Sequence, residues 1–221
     1  MVGKFVIRAI GAGLHNGFGF QFPGTGIAGN DVEVSGSRLK ESFITLNPNG
    51  TEAGQDRVTV IVFDNDYKLM KFPGGFGINV QPGATYVKPD TTVINIAFKP
   101  NTYSISDIGI DQFNPFLIIN LNRGKEVHLS NYPPTSLANM TYFKTGNDDS
   151  DPATGRYYKT ITNLPWAIKV TNGFNYAVEK VQITNAYLKF ADWAESSGAL
   201  VPDWYVKNPG YRNESNIYEA P

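Results

Sequence analysis

Short strand-like segments, separated by turns rich in proline and glycine, recur along the 221-residue chain and constrain its fold more than any other feature. Alternating or wholly apolar segments with many β-branched and aromatic residues are typical of β-strands. Eight such segments are Val32–Val34, Ser42–Leu46, Arg57–Phe63, Thr92–Phe98, Phe116–Leu121, Glu126–Leu129, Tyr157–Thr162 and Trp166–Val170. Turn clusters at residues 47–50, 72–75, 81–83 and 99–101 separate them. The pattern predicts a mostly β fold.

The beginning of the chain predicts a hairpin. Apolar residues alternate from Phe5 to Ala9, and three phenylalanines share one face between Phe18 and Phe22. The sequence His15-Asn16-Gly17 lies between the two segments. Asn-Gly flanked by apolar alternation is typical of a type I′ turn, because both residues tolerate a positive φ. We therefore expect two paired strands over residues 4–22.

One segment near the C-terminus follows helical periodicity instead. Its apolar residues at helical spacing are Ile183, Tyr187, Phe190, Ala191 and Ala194. The spacing predicts a single helix over about residues 184–197, which Thr184 or Asn185 caps at the start and Gly198 ends.

The polar tail over about residues 208–221 lacks periodicity, so it is either a strand-like flap or loose. No repeat or low-complexity linker divides the chain. The predicted architecture is therefore one antiparallel β-sandwich domain over residues 1–221, jelly-roll-like in one alternative, with one C-terminal α-helix.

Composition excludes several kinds of partner and chemistry. The 19 Lys and Arg residues balance 20 Asp and Glu residues, which gives a net charge of -1 and no electrostatic footprint for nucleic acid. The chain contains no cysteine, so disulfides, thiolate metal sites and cysteine nucleophiles are excluded. No stretch approaches the roughly 18 apolar residues that span a bilayer. We therefore expect no direct membrane insertion by this chain, and any export signal would lie outside it.

Motifs for catalysis are weak. The segment Gly11–Gly17 superficially matches a dinucleotide fingerprint, but a phenylalanine-rich strand follows it where a helix is needed. The two histidines, His15 and His128, are interpreted as a turn residue and a strand residue, since no metal spacing or Gly-x-Ser-x-Gly motif accompanies them. No catalytic residue is predicted. Glycoside hydrolysis requires two carboxylates at a set distance in space. A sequence does not give such distances, so this chemistry stays open.

An acidic loop over Gly146–Gly155 is a candidate calcium site. Asp148, Asp149 and Asp151 place three carboxylates within four residues, and such oxygens are the ligands that Ca²⁺ takes. The alternative is a solvated turn in which the aspartates bond to their own backbone. Calcium is the one cofactor that the sequence suggests.

Three tryptophans are candidates for ligand contact. Trp166 begins a predicted strand and Trp193 adjoins the helical stripe, so both are expected in the core. Trp204 and Tyr205 lie in the polar sequence Pro202-Asp203-Trp204-Tyr205 and are the predicted exposed, ligand-binding aromatic residues.

Several motifs together resemble a known family. They are residues 9–20 (Ala-Ile-Gly-Ala-Gly-Leu-His-Asn-Gly-Phe-Gly-Phe), Glu126–Leu129, Pro134–Ala138, Gly146–Asp149, Arg156–Tyr158, Asn163–Ile168, Ala186–Ala194 and Asp203–Tyr205. In this order they are similar to the LruC-type domain, a domain of unknown function in bacterial surface lipoproteins and secreted proteins. The resemblance implies an outer-surface, secreted or periplasmic setting. The lipid-bearing cysteine and the Asp-rich stretch that often precede this domain are absent from this chain.

Three functions remain open at this point. The first is a non-enzymatic surface or secreted module for adhesion or for binding a surface glycan or protein. The alternatives are a glycan-active hydrolase and a structural spacer or assembly domain. A hydrolase requires a cleft flanked by two carboxylates, whereas a binding module can present an aromatic patch.

Overall fold

The computed structural model describes residues 1–11, 13–24, 26–71, 80–171 and 173–219. The predicted turn cluster at 72–75 lies outside them. The strands are β1 (Val2–Ile7), β2 (Gly17–Gln21), β3 (Val32–Ser35), β4 (Thr59–Phe63), β5 (Asp90–Phe98), β6 (Asn114–Ile118), β7 (Glu126–His128), β8 (Tyr176–Ala177) and β9 (Ile217–Tyr218). The helices are α1 (Ile105–Ile108), α2 (Ile183–Ala186) and α3 (Phe190–Glu195). Strands dominate, so the mostly β prediction is confirmed.

The strands form three antiparallel sheets. One has the order β1-β5-β3, the second the order β4-β2-β6-β7, and the third pairs β8 with β9. Short irregular segments connect these sheets and make up most of residues 130–175. The sandwich and its jelly-roll variant stay predictions.

The two larger sheets share a hydrophobic core. Phe20 and Val60 come from the four-stranded sheet, and Val32 and Ile94 come from the three-stranded sheet. On its other face, the four-stranded sheet packs Ile61, Phe116 and Ile118 against Ile44. Burial of both faces explains the unbroken apolar run of β4 from Val60 to Phe63.

The predicted hairpin over residues 4–22 is wrong. β1 pairs with β5, while β2 lies between β4 and β6. Asn16 and Gly17 do not adopt a positive φ. The backbone N–H of Asn16 instead donates to Asp66 Oδ1 at 2.9 Å. A Cβ on Gly17 would lie 3.0 Å from the Phe63 carbonyl oxygen, so this glycine permits a close approach of two strands and forms no turn.

Three predicted strands are absent. Residues 42–46, 157–162 and 166–170 form no strand, although Leu46 and Lys159 take part in isolated bridges. Phe43 and Leu46 pack against the core of the four-stranded sheet without joining its ladder. Their apolar pattern indicates burial, and burial does not require strand pairing.

The single predicted helix is divided into α2 and α3. Between them Tyr187 is extended, with φ -116° and ψ 98°, and forms a bridge with Arg212. The N–H of Leu188 donates to the Tyr211 carbonyl at 2.7 Å. Pairing with the C-terminal segment therefore interrupts the helix.

Of the two predicted ends of this helix, the first is wrong and the second is confirmed. The residue that precedes α2 is Gln182, with no side-chain cap, so capping by Thr184 or Asn185 is wrong. Gly198 does end the helical segment, because its N–H donates to the Trp193 carbonyl at 2.8 Å. The one-turn helix α1, which Ser104 caps, was not expected from the sequence.

A second, aromatic core lies in the C-terminal part of the chain. Its buried members are Ala186, Tyr187, Phe190, Ala194, Trp204 and Ile217, and we call this cluster the C-terminal core. Ile217 belongs to β9, which pairs with β8. The tail is thus strand-like over Ile217–Tyr218, as the first of the two alternatives predicts.

Candidate functional site

An open cavity of about 540 Å³ lies between the end of β1 and the β8–β9 pair. Its aromatic lining residues are Tyr86, Phe174, Tyr176 and Tyr218, and Arg8 adds a positively charged side chain. We call this cavity the tyrosine groove. Tyr86 is 54% exposed, so it is accessible from solvent.

The C-terminal core holds the walls of the tyrosine groove in place. Pairing of β8 with β9 sets Tyr176 opposite Tyr218. The hydroxyl of Tyr187 donates to the Asn175 carbonyl at 2.5 Å, and the ring of Phe174 stacks on Tyr187 at 5.2 Å. These contacts make the groove preformed, because its wall is continuous with a packed core.

The charges in the tyrosine groove are positive. Among the residues described, its charged lining consists of Arg8 and Lys88. Burial raises the pKa of Tyr176, and the nearby charge of Arg8 only partly opposes this effect. The Tyr176 phenol is therefore neutral near pH 7 and can both donate and accept a hydrogen bond.

A second cavity, of about 680 Å³, adjoins the groove and shares Val6, Arg8 and Tyr176 with it. Two carboxylates, Asp66 and Glu179, line this space, which we call the carboxylate cavity.

Asp66 has the more unusual environment of the two. Burial raises the pKa of Asp66 and outweighs the hydrogen bonds that it accepts from the N–H groups of Asn16 and Tyr67. Those two bonds measure 2.9 Å and 3.0 Å, and both reach Oδ1. A carboxyl group with a raised pKa in a cavity is a candidate proton donor.

The two histidines lie away from a recognisable triad. His15 Nδ1 lies 3.3 Å from Asn65 Oδ1, and its ring packs near Tyr67. His128 is fully buried, with Nε2 2.8 Å from Glu126 Oε2 and Nδ1 2.6 Å from Asn114 Oδ1. These contacts fit the structural interpretation of both residues.

Glu126 also belongs to a buried ionic network that the sequence did not reveal. Arg123 forms ion pairs with Glu52 and Glu126. Thr135 donates from Oγ1 to Glu126 at 2.5 Å. The network joins Glu52 to the segment over residues 123–135, which is distant in sequence, and no local motif marks it. The side chains of Glu52 and Glu126 are buried, and that of Arg123 is 12% exposed.

The predicted calcium loop does not gather its carboxylates. Asp149 pairs with Arg156 at 2.7 Å, and Asp151 pairs with Lys144 at 2.9 Å. Over the described parts of the chain, no group of three His, Cys, Asp or Glu side chains is placed to hold a metal ion. Side-chain cations thus supply the neutralisation that was expected from calcium, and calcium binding there stays a prediction.

Asp148 has neutral partners. It accepts hydrogen bonds from the Ser150 hydroxyl at 2.9 Å and from the Trp166 indole N–H at 2.8 Å. Trp166 is 45% exposed, so the expectation that it lies in the core is wrong. The hydrogen bond to Asp148 explains how this indole is held at the surface.

The expected exposure of Trp204 is also wrong. Its side chain is 1% exposed and meets the rings of Tyr187 and Phe190 edge-on at 5.1 Å and 4.8 Å. Tyr205 is half-buried against the same core, and Trp193 is half-buried as well. Burial of Trp204 removes the argument that made it a ligand contact.

Sequence reasoning missed the residues of both cavities. Arg8, Tyr86, Tyr176 and Tyr218 come from four distant segments, and strand pairing brings them together. No local motif in the sequence marks these residues as members of one site.

Fold and cavities together define a class of molecule, a mostly β domain in which two sheets and an aromatic C-terminal core enclose two adjoining open cavities. No helix among the described residues is long and apolar enough to span a bilayer. The chain belongs to the family of the domain of unknown function DUF4842, whose sequence model matches residues 1–205. The finer LruC-type assignment stays a prediction.

Comparison with known proteins adds one structural relative. No curated protein matches the sequence significantly. A crystal structure of a protein described as a "putative lipoprotein" from Bacteroides ovatus matches with a TM-score of 0.67 and 18% identity. The match covers 100% of this chain, which spans 63% of the other chain. At this identity the likeness shows a shared fold.

Proposed function

We propose that this chain is a non-enzymatic module of the bacterial cell surface or of a secreted protein, and that it binds a glycan in the tyrosine groove. The resemblance to the LruC-type domain supports an extracytoplasmic location. The shared fold with a protein described as a lipoprotein supports the same location. Adhesion is the role that glycan binding would serve in this setting.

The observation that carries the proposal is the convergence of Tyr86, Tyr176 and Tyr218 on one open cavity. An aromatic ring offers an apolar face to the C–H groups of a sugar, and its hydroxyl offers a hydrogen bond. Ligand sites typically measure about 300–1,000 Å³ and combine apolar walls with a few polar groups. The tyrosine groove has this size and this composition.

The shape of the groove favours a glycan over a folded protein. A stable protein interface takes about 800 Å² from each partner, usually across a broad surface. The tyrosine groove is a cavity of about 540 Å³, and its aromatic residues belong to the lining. A structural spacer would not require tyrosines from distant segments to meet.

A glycan-array screen, run with and without Ca²⁺, tests the proposal. We expect binding by the native chain and its loss in Tyr86→Ala, because this exposed ring supplies contact area without supporting the core. Tyr132→Ala is the matched control, since Tyr132 lines neither cavity. Equal binding by Tyr86→Ala and the native chain would contradict glycan binding in the groove, and so would the absence of any hit.

A glycan-active hydrolase is the second candidate, and the presence of Asp66 and Glu179 in one cavity favours it. Glycoside hydrolysis uses two carboxyl groups, one of which is an acid with a raised pKa. Incubation of each glycan hit with the native chain, Asp66→Asn and Glu179→Gln separates the two functions. Turnover that both substitutions abolish supports the hydrolase, and intact glycan in all three samples supports the binding module.

A further inference from the structure

A buried lysine lines a separate small pocket of about 170 Å³. Lys159 is only 8% exposed, and among the described residues it forms neither a salt bridge nor a side-chain hydrogen bond. Lysines are almost never this buried unless they are paired. The ammonium of Lys159 is not fully enclosed by protein atoms, so it still reaches open space. The open space beside Lys159 is this pocket.

The pocket has an electropositive character. Its described lining contains no carboxylate. Burial lowers the pKa of Lys159, and the neighbouring charge of Arg156 lowers it further. Arg156 itself is paired with Asp149. Among the described residues, no carboxylate side chain forms an ion pair with Lys159.

The end of helix α3 does not satisfy Lys159 either. Lysines often bind the free carbonyl groups at a helix C-terminus. Here the carbonyls of Asp192, Trp193 and Ala194 accept from the N–H groups of residues 196, 198 and 197. The Glu195 carbonyl accepts from Asn163 at 3.2 Å. Each of these carbonyls already has a donor.

Further donors line the pocket without partners in the described parts of the chain. They are the side-chain amide of Asn131, the hydroxyl of Ser197 and the indole N–H of Trp193. The backbones of Asn131 and Ser197 have φ values of 65° and 55°, a conformation that is uncommon outside glycine. Asparagine tolerates this conformation, whereas Ser197 is held at the pocket in an unfavourable backbone geometry.

We propose that this pocket, the Lys159 pocket, binds the oxyanion group of a small acidic sugar, with Lys159 as its counter-charge. Carboxylate and sulfate are two forms of this group that occur on glycans, and both accept hydrogen bonds from an ammonium and neutral donors. A volume of about 170 Å³ admits a group of this size and excludes a polymer chain. The site is distinct from the tyrosine groove, with which it shares no lining residue.

Titration calorimetry with glucuronate, galactose 6-sulfate and neutral glucose tests this proposal. We expect binding of at least one acidic sugar, weaker binding at higher ionic strength, and none of glucose. Lys159→Met should weaken binding about tenfold or more, the loss expected when a charge-assisted hydrogen bond is removed. The matched control is Lys169→Met, since Lys169 is an exposed lysine outside the pocket. Glucuronate and galactose 6-sulfate distinguish the two oxyanions.

Thermal melting of the same variants distinguishes a ligand-binding lysine from a structural one. Removal of a buried, unpaired charge relieves its desolvation, so Lys159→Met should keep or raise the melting temperature without ligand. A lower melting temperature together with unchanged binding of the acidic sugars would overturn the proposal. Failure of the native chain to bind either acidic sugar would also overturn it. Tyr86→Ala should leave this binding intact, so the result is independent of the groove.

Discussion

Glu126 and His128 lie on one face of β7, and the side chains of both are fully enclosed. Burial alone would raise the pKa of Glu126, but the hydrogen bond to His128 and the charge of Arg123 outweigh it and hold the pKa at about 2. An enclosed carboxylate with a cation on one side and a histidine on the other is therefore ionised at every pH at which the protein is expected to work.

The network predicts a loss of stability in acid. The pKa of Glu126 falls from 4.5 to about 2 on folding, so the folded state binds fewer protons between these values. Ionised Glu126 therefore contributes up to roughly 3 kcal/mol to the free energy of unfolding above the unfolded-state pKa of 4.5. This contribution is lost as the pH falls through the folded-state pKa of about 2. Urea unfolding at about pH 6 and about pH 3 measures this change.

Glu126→Gln provides the comparison for that measurement. The variant should be less stable by about 3–5 kcal/mol near neutral pH, because Arg123 and His128 lose their buried partner. It should also depend less on pH between the two conditions. Glu195→Gln, at an exposed position, should stay within about 0.5 kcal/mol of the native chain. An equal pH dependence in Glu126→Gln and the native chain would contradict the assignment.

At the scale of elements, the path of β2 depends on its glycines. A Cβ on Gly17 would contact the Phe63 carbonyl at 3.0 Å, and one on Gly19 would lie 2.9 Å from the Phe116 ring and the Val60 carbonyl. Gly17→Ala should therefore destabilise the protein by about 1–3 kcal/mol, the usual effect of overpacking. Chemical denaturation measures the change. Gly26→Ala is the control, because no atom lies within 4 Å of its added Cβ; similar effects at both positions would refute the close-approach argument.

Local pattern predicted which segments are strands better than it predicted how they pair. The segments around β4, β5 and β6 are correctly placed, because their alternation and β-branched content are local properties. Asn16-Gly17 predicts a hairpin wrongly, because a type I′ turn and a close approach of two strands both favour glycine. The break between α2 and α3 depends on a contact of Tyr187 with Arg212, which no helical periodicity encodes.

The candidate sites were harder to predict than the strands for the same reason. The buried Trp204 lies among polar neighbours in sequence, and the rings that enclose it come from residues 174–193. Residues 8, 86, 176 and 218 form the tyrosine groove only after folding. Lys159 is recognisable only once its burial and its lack of a carboxylate partner are known.

At the scale of the whole molecule, the two cores can be followed separately. Circular dichroism reports the sheets, whose strands lie mostly before residue 129. Tryptophan fluorescence reports the C-terminal part, because all three tryptophans lie between residues 166 and 204. If residues 1–221 form one cooperative domain, both signals should change at the same temperature. Phe190→Ala should lower both midpoints together, since loss of this buried ring costs about 3–5 kcal/mol. A shift confined to fluorescence would divide the chain into two domains.

The order of strands in the sheets also governs how quickly this protein forms. Val2 faces Asn95 in the pairing of β1 with β5, and Tyr176 faces Tyr218 in the pairing of β8 with β9. Of the strand pairs described, β6 with β7 alone joins neighbours through a short connection. Chain closure over long loops must therefore precede most of the favourable contacts, which places folding among the slower all-β proteins, at milliseconds to seconds. During synthesis the apolar residues of β1 stay unpaired until about 90 further residues have been made, because their partner strand is β5.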